Sequence, residues 1–163
     1  RLIDPFCLFY LRYVSSKNVV DTNFWTNNQQ SQSVVSWRGI AFEDLCIRHM
    51  SQIKSALGIS GVITSQSNWI VPGNEDEPGM QIDLLINRND NVVNMCEMKF
   101  YNEDFAVSGE YYKKIASRVN KIHEELPKKY AVHSTLITTY GLAYNEYSGA
   151  FQQVITLEEL FAY

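Results

Sequence analysis

Two acidic residues and a lysine are spaced so that a β-sheet would bring them together. Glu97 and Lys99 are two positions apart in Val92–Phe100, a segment with the composition of a strand, so their side chains point to the same face. Asp83 lies in the preceding apolar run, Gln81–Asn87. If the two runs pair as a hairpin, Asp83 comes close to Glu97, because neighbouring strands are about 5 Å apart.

A third acid, Glu43, is expected to reach the same end of the sheet from a helix. The sequence predicts this helix from Trp37 to Gly58, and glycine is a residue type that commonly follows a helix C-terminus. Glu43 lies on the helix line that also carries Cys46 and Met50, so it borders the core. A carboxylate in that position is costly unless it has a partner.

These three carboxylates have the chemistry of a site for a divalent cation, because close carboxylates repel one another unless a cation lies between them. Their hard oxygen atoms suit Mg²⁺, or Mn²⁺ in its place, and Mg²⁺ also binds phosphates readily. A bound metal lowers the pKa of its water and offsets charge on a phosphodiester. Lys99 would orient that water or stabilise the developing charge. The predicted metal ligands are Glu43, Asp83 and Glu97.

The composition of the chain limits its size class and its partners. Its 163 residues suffice for one domain with its own core, or for one domain with a short appendage. A net charge of −4 does not favour non-specific binding to nucleic acid or anionic lipid, so such binding requires a local patch. The chain contains no apolar run of about 18 residues, the length of a membrane-spanning helix.

The three cysteines predict reduced thiols in a cytoplasmic protein. Cys7, Cys46 and Cys96 are odd in number and widely spaced, which argues against a disulfide framework and against a zinc or redox site. No signal peptide is visible at the start of the sequence. Arg1 in the place of Met indicates a piece of a longer polypeptide.

A local basic patch is predicted on the second long helix, residues 109–129, which carries six Lys or Arg residues against three Glu. Lys114, Arg118 and Lys121 share one face of this helix. The apolar stripe expected to face the core is Tyr112, Ile115, Val119, Ile122 and Leu126. The basic face is compatible with a solvated surface and with contacts to DNA phosphates. Contacts of the second kind would be sensitive to salt and independent of base sequence.

The remaining patterning divides the chain into three parts. Residues 1–23 are rich in aromatic side chains and contain a short amphipathic helix from Phe6 onward. Residues 24–36 are polar and nearly free of charge, as in a linker. The main domain is expected at 37–163. If the aromatic surface of the first part is left uncovered, it packs on itself or supports a homo-oligomer.

Within the main domain, the predicted order is one helix, three strands, a second helix and a fourth strand. An acidic, turn-rich loop at Pro72–Gly79 separates the first two strands. The domain ends with a short strand at Phe151–Thr156 and a helix at Leu157–Phe161, which starts with the capping box Thr156 and Glu159. Strands that are apolar on both faces predict an α/β architecture, in which helices flank a mixed sheet.

Three motifs of the chain resemble the PD-(D/E)XK, or restriction-endonuclease-like, superfamily of nucleases. They are Gly39–Glu43 in the first helix, Ile82–Asp83 in the second strand and Glu97–Lys99 in the third. The resemblance covers roughly Trp37 to Phe161. It implies the αβββαβ core of that superfamily, with a mixed central sheet flanked by helices.

The resemblance also implies a role for each of the four charged residues. Asp83 and Glu97 would hold Mg²⁺, Lys99 would assist the attacking water, and Glu43 would join the metal site. Ile82 stands where the motif that names the superfamily has Pro. This departure is common in the superfamily.

Further segments resemble the C-terminal nuclease-like domain of prokaryotic AAA-type ATPases, in its Bacteroidetes-type version. They are CEMKF, LITTYGL and VITLEELF, while LIDPF near the start resembles the end of the winged-helix region that precedes this domain. The resemblance implies that residues 1–23 are a remnant of that region and that an N-terminal ATPase portion is a partner. The chain itself has no G-x-x-x-x-G-K-[ST] motif for binding ATP.

The residues and the resemblance together lead to two hypotheses. In the first, the domain is a Mg²⁺-dependent endonuclease that hydrolyses DNA, with the helix at 109–129 against the phosphate backbone. In the second, it is a catalytically inactive module that binds nucleic acid or mediates assembly of the ATPase. Lys99→Ala separates them, because it abolishes cleavage in the first case and changes only a little charge in the second.

Overall fold

The computed structural model of this chain describes residues 4–15, 22–73 and 79–162. The helices are α1 (Pro5–Phe9), which continues into a π-helical turn at Tyr10–Val14, α2 (Phe24–Asn28), α3 (Gln32–Arg48), α4 (Met50–Ala56) and α5 (Gly109–Glu125). The strands are β1 (Thr64–Val71), β2 (Met80–Arg88), β3 (Val92–Lys99), β4 (Ala131–Thr138) and β5 (Gln153–Thr156). From α3 onward, the order of helices and strands is the predicted one.

A five-stranded mixed sheet forms the centre of the fold, in the order β1-β2-β3-β4-β5. The first three strands pair antiparallel, while β3 with β4 and β4 with β5 pair parallel. A parallel pair requires a crossover connection, and α5 supplies the one between β3 and β4. This arrangement confirms the predicted α/β class, with helices flanking a mixed sheet.

Each face of the sheet is covered by different helices. Side chains of α3 and α4 pack on the face that carries Leu84 and Cys96, and side chains of α5 pack on the face that carries Leu85 and Met95. Neighbouring residues along a strand point to opposite faces. The strands are apolar on both faces because each face contributes to a separate core.

The pairing of β2 with β3 ends before β3 does. The last pair of their ladder is Leu84 and Cys96, although β3 continues to Lys99. Beyond the ladder, the backbone N–H of Met98 donates to the Asp83 carboxylate at 3.1 Å. A side chain of β2 therefore takes the place of a backbone acceptor at this end of the hairpin, and it is fixed there by that bond.

The helix predicted at 37–58 differs from the structure in two ways. It begins earlier, at Gln32, after the N-cap Ser31. It is also interrupted at His49, whose backbone angles (φ −101°, ψ 33°) are not helical, so that α3 and α4 are separate. Gly58 has φ +70°, which confirms that it ends this helical segment, because a left-handed backbone favours glycine.

The segment predicted as a linker, 24–36, is largely helical and contains α2 and the start of α3. Two tryptophans in and next to this segment pack it against the first part of the chain. Trp25 and Trp37 contact the rings of Phe9 and Tyr13, with centroid distances between 5.0 and 6.2 Å. These aromatic contacts pack α1 and the π-helical turn against α3, so the polar composition does not mark an irregular spacer.

The predicted C-terminal elements are present but shorter. α5 ends at Glu125, before its predicted end, and β5 begins at Gln153. The terminal helix is a single 3-10 turn at Glu159–Phe161. Its capping contact is confirmed, since Glu159 Oε2 accepts the backbone N–H of Thr156 at 2.7 Å.

The cysteines agree with the prediction of core thiols at two of their three positions. Cys46 and Cys96 are free and buried, whereas Cys7 is free and half-buried. Burial raises the pKa of Cys46 to about 12 and also raises the pKa of Cys96. Both thiols therefore stay protonated near neutral pH, which makes them poor nucleophiles and poor metal ligands.

Two other predictions concern the loop Pro72–Gly79 and membrane spans. The acidic residues of that loop lie outside the described residues. Among the helices that the structure describes, none combines the length and the apolar character needed to cross a bilayer.

Candidate functional site

Glu97 is a buried carboxylate near the end of β3, on the sheet face that α5 covers. It is 1% exposed. Arg118 of α5 forms an ion pair with Glu97 Oε1, and the hydroxyl of Tyr111 donates to Oε2 at 2.9 Å. A charge at this depth is tolerated only with such partners, because an unpaired buried charge is very costly. Two residues of α5 therefore hold the Glu97 side chain in place.

Lys99 connects Glu97 to Asp83. Its Nζ lies 3.7 Å from Glu97 Oε2 and 3.6 Å from Asp83 Oδ2. Lys99 and Asp83 keep 31% and 12% of their side chains exposed, so this end of the network can be reached from solvent. The sequence-based expectation that Asp83, Glu97 and Lys99 meet on one face of the hairpin is confirmed.

The charges of this network balance one another. Two carboxylates, Asp83 and Glu97, face two cations, Lys99 and Arg118. Lys99 contacts both carboxylates and reduces their mutual repulsion. Burial, and then the charge of Glu97, raise the pKa of Tyr111 above its usual value. The phenol consequently stays protonated and remains a hydrogen-bond donor to Glu97.

Arg118 retains one donor without an acceptor. Its Nε is buried and has no hydrogen-bond partner among the described residues. Such donors are rare in folded proteins, because each costs free energy comparable to a lost hydrogen bond. The guanidinium therefore has capacity for one more acceptor than the described residues supply.

Tyr112 and Arg118 occupy faces of α5 other than those predicted. The predicted core stripe includes Tyr112, which is 41% exposed, while Arg118 was expected on the exposed basic face and is buried. A signal for the correct face exists in the sequence. The residues Tyr111, Ile115, Arg118 and Ile122 follow a spacing of four, three and four. Four residues of the predicted stripe pack on the core as expected, and they are Ile115, Val119, Ile122 and Leu126. Tyr112 does not, and Arg118 joins the buried side because Glu97 needs a counter-ion.

Glu43 is positioned by a different layer of the fold from the other two acids. It is half-buried on α3, and α3 packs on the sheet face opposite to the one that carries Glu97. Within residues 4–15, 22–73 and 79–162, no group of three or more acidic, histidine or cysteine residues is arranged to hold a metal ion. The role of Glu43 as a third metal ligand stays a prediction.

Asp83 and Glu97 fit Mg²⁺ only as a partial site. Their carboxylate oxygens are the hard donors that Mg²⁺ prefers, and proteins often hold this ion with one or two carboxylates while waters and phosphate oxygens complete its shell. The Glu97 oxygens already contact Arg118 and Tyr111. The donor set thus fits a metal that a phosphate helps to hold, and it does not fit a cage made by the protein alone.

An open groove of about 1250 Å³ lies between α5 and the beginning of β2. Asp83 and Arg118 line this groove and connect it to the buried network. Its other charged lining residues are Lys113, Lys114 and Lys121, together with Glu110 and Glu124. We call this feature the α5 groove. It places a reachable carboxylate beside a set of cations, although the whole chain is acidic.

The three residues predicted to contact nucleic acid differ in their exposure to solvent. Lys114 is exposed. Lys121 is 37% exposed, and its Nζ lies 3.3 Å from Glu124 Oε2. The prediction that Arg118 is exposed is wrong. Arg118 is buried, because Glu97 needs a counter-ion. Lys113, which the sequence did not single out, is exposed in the α5 groove.

No family model and no curated protein matches this chain. A solved structure described as a "Protein of Unknown Function AF1548" is similar over 71% of this chain and 64% of that one. The two share 19% sequence identity, and the TM-score is 0.46. The matched region is less than two thirds of that protein, and a likeness of this size carries no argument about function.

Proposed function

We propose that this domain binds the phosphodiester backbone of DNA in the α5 groove and hydrolyses it with the help of Mg²⁺ or Mn²⁺. The observation that carries the proposal is the position of Lys99, whose Nζ lies 3.6 Å from Asp83 and 3.7 Å from Glu97. Two carboxylates that could hold a metal and a lysine that could assist a water, beside a groove with further lysines, are the groups that metal-assisted hydrolysis needs. The resemblance of the same three residues to the PD-(D/E)XK motif supports it.

Asp83 and Glu97 would hold the metal, which when bound supplies an activated water and offsets charge on the phosphodiester. Lys99 and Arg118 already balance these carboxylates, so a dication alone gains little from them. A phosphate in the groove adds the negative charge that is missing. We therefore expect the metal and DNA to bind cooperatively.

The protein side chains divide the remaining work. Lys99 is partly exposed and lies within ion-pair distance of both carboxylates, so it would hold the attacking water or stabilise a developing negative oxygen. Arg118 and Tyr111 are positioning residues, because they fix Glu97 and do not face the reacting atoms.

The proposal includes the finer fold and the larger assembly. The order of helix, three antiparallel strands, crossover helix and parallel strand supports a restriction-endonuclease-like αβββαβ core. In that core, Asp83 on β2 and Glu97 on β3 occupy the positions of the metal ligands. As the C-terminal domain of an AAA-type ATPase, this unit would receive its conformational control from the N-terminal ATPase portion.

A non-cleaving module is the second candidate, and the state of Glu97 favours it. Arg118 and Tyr111 engage both oxygens of this carboxylate, as in a purely structural ion pair. The lysines of the α5 groove would then bind DNA phosphates, or an acidic surface of the ATPase portion, without any metal.

Cleavage of end-labelled DNA in Mg²⁺ or Mn²⁺ tests the proposal. Single-stranded, duplex and branched substrates are incubated with the wild type, with Lys99→Ala and with Asp83→Asn. We expect each substitution to reduce the cleavage rate by at least about 100-fold. The Asn side chain keeps an oxygen for the N–H of Met98, so Asp83→Asn should leave the fold intact.

Lys128→Ala is the matched control, because Lys128 is exposed and does not line the α5 groove. It should cleave as the wild type does. Cleavage that survives both Lys99→Ala and Asp83→Asn contradicts the proposed site. A wild type that binds DNA but never cleaves it, with the same affinity after Lys99→Ala, establishes the non-cleaving module instead.

A further inference from the structure

The α5 groove contains an exposed aromatic ring beside its cations. Tyr112 lines the groove and is 41% exposed. It directly precedes Lys113 and Lys114, which are both exposed. The hydrolysis proposed above does not use Tyr112. Although Glu110 also lines the groove, the Tyr112 ring presents a flat apolar face next to the positive charges of Lys113 and Lys114.

A second ring supports Tyr112. The rings of Tyr112 and Tyr147 have centroids 5.9 Å apart and an interplanar angle of 45°. Tyr147 lies so close to Gly109 that a Cβ at this glycine would be 3.1 Å from its ring atoms. Asn145 fixes the backbone there, because it accepts the N–H of Tyr147 at 2.9 Å and donates to the Val107 carbonyl at 2.9 Å. The two rings thus sit on a preorganised support.

The loop that carries Tyr147 exposes a further ring. Tyr144 is 98% exposed, so packing within the described chain does not explain it. The ring that lies beside cations is Tyr112, which shares the groove with Lys113 and Lys114. The combination of rings and lysines matches a ligand that alternates flat apolar groups with negative charges.

We infer that Tyr112, supported by Tyr147, stacks on an unpaired base of single-stranded DNA whose phosphates contact Lys113 and Lys114. This inference rests on the proposed function and names its substrate class. Stacking on aromatic side chains tolerates any base, since every base has a π-face. In a duplex these faces are covered by the neighbouring base pairs, so the groove binds duplex DNA through its phosphates alone.

Fluorescence anisotropy with three labelled probes tests the inference. The probes are a thymidine oligonucleotide of about 12 nucleotides, an abasic strand with equal phosphate number, and a duplex of equal length. All titrations use the full chain carrying Asp83→Asn, in EDTA, so that no probe is cleaved. We expect the thymidine strand to bind more tightly than the abasic strand and the duplex.

Substitutions at Tyr112 separate stacking from charge. Tyr112→Ala should weaken binding of the thymidine strand by about 5- to 100-fold and leave the abasic strand unaffected. Tyr112→Phe keeps the ring and should retain the affinity. Tyr10→Ala is the matched control, because Tyr10 is 47% exposed but belongs to the π-helical turn packed against α3. Thermal melting of each variant confirms that it is folded.

Several results overturn the inference. They are equal affinity for the thymidine and abasic strands, a Tyr112→Ala variant that binds like the wild type, an equal loss for both strands, or no measurable binding of any probe. A different result would contradict the proposed hydrolysis. A chain that prefers the thymidine strand through Tyr112 but never cleaves DNA retains the stacking site and loses the nuclease.

Discussion

Two buried polar residues of β3 stand three positions apart and have opposite surroundings. Asn94 is fully buried on the sheet face that α3 covers, where its amide donates to Thr135 Oγ1 at 3.4 Å and to Gln153 Oε1 at 3.2 Å. Glu97 is buried on the α5 face, where its partners are Arg118, Tyr111 and Lys99. Asn94 is itself neutral, although its Oδ1 also accepts a hydrogen bond from the Arg88 guanidinium at 3.5 Å. Glu97 is itself charged, and its partners lead to the α5 groove.

The difference agrees with the proposal, in which the Asn94 cluster serves the fold and the Glu97 cluster serves hydrolysis. A neutral amide between neighbouring strands satisfies buried groups at little electrostatic cost. A buried acid with two cations is an expensive way to stabilise a core, since apolar residues of similar volume are often at least as stable. The presence of Glu97, Lys99 and Asp83 beside the α5 groove therefore favours the proposed chemical role. The same residues also contribute to stability.

The largest expected effect is that of Arg118→Ala. This substitution leaves the buried Glu97 with the partly exposed Lys99 as its remaining counter-ion and should lower the free energy of unfolding by about 3–5 kcal/mol. The double variant Glu97→Gln with Arg118→Met removes both charges and should lose less. Urea denaturation of the two variants measures the difference. If the single variant is as stable as the double one, Glu97 does not depend on Arg118.

A smaller effect on stability is expected for a substitution of Asn94, the neutral residue of the comparison. Asn94→Ala removes the amide and leaves Thr135 and Gln153 without it, which should cost about 1–3 kcal/mol of unfolding free energy. DNA binding and cleavage should stay at the wild-type level, because Asn94 lies on the opposite face of the sheet. A loss of DNA binding at temperatures where the variant remains folded would show that the two clusters are not independent.

The smallest change in stability is expected for Lys121→Ala. Its pair with Glu124 is on the surface, where Glu124 is 66% exposed, and such pairs contribute about 0–1 kcal/mol. DNA binding should respond instead, with the slope of log affinity against log salt decreasing by about 1. An unchanged slope would remove Lys121 from the set of residues that contact phosphates.

The sequence predicts which residues share a face of the hairpin, because side chains along a strand alternate regularly between its two faces. Glu97 and Lys99 share a face by alternation, and the turn after β2 brings Asp83 beside them, as the structure confirms. The rotation of α5 is harder to predict. A helix with aromatic and long cationic residues on several lines offers more than one apolar stripe, and the buried acid that selects Arg118 lies on a different element.

The split of the first helix and the helical linker were missed for other reasons. The composition around His49 remains helical, and only the backbone angles of that residue separate α3 from α4. Trp25 and Trp37 bind the polar segment between them to Phe9 and Tyr13 through tertiary contacts. Local composition does not contain that information, because the partner rings come from a distant part of the sequence.

The most direct measurement is a calorimetric titration of Mn²⁺ into the wild type and into Asp83→Asn, each with and without a phosphorothioate DNA strand that resists cleavage. Because Lys99 and Arg118 balance the two carboxylates, the wild type should bind Mn²⁺ at least about 10-fold more tightly when DNA is present. Asp83→Asn should lose Mn²⁺ binding in both conditions. Equal Mn²⁺ affinity in the two proteins, or no Mn²⁺ binding by the wild type even with DNA, would contradict a metal site at Asp83 and Glu97.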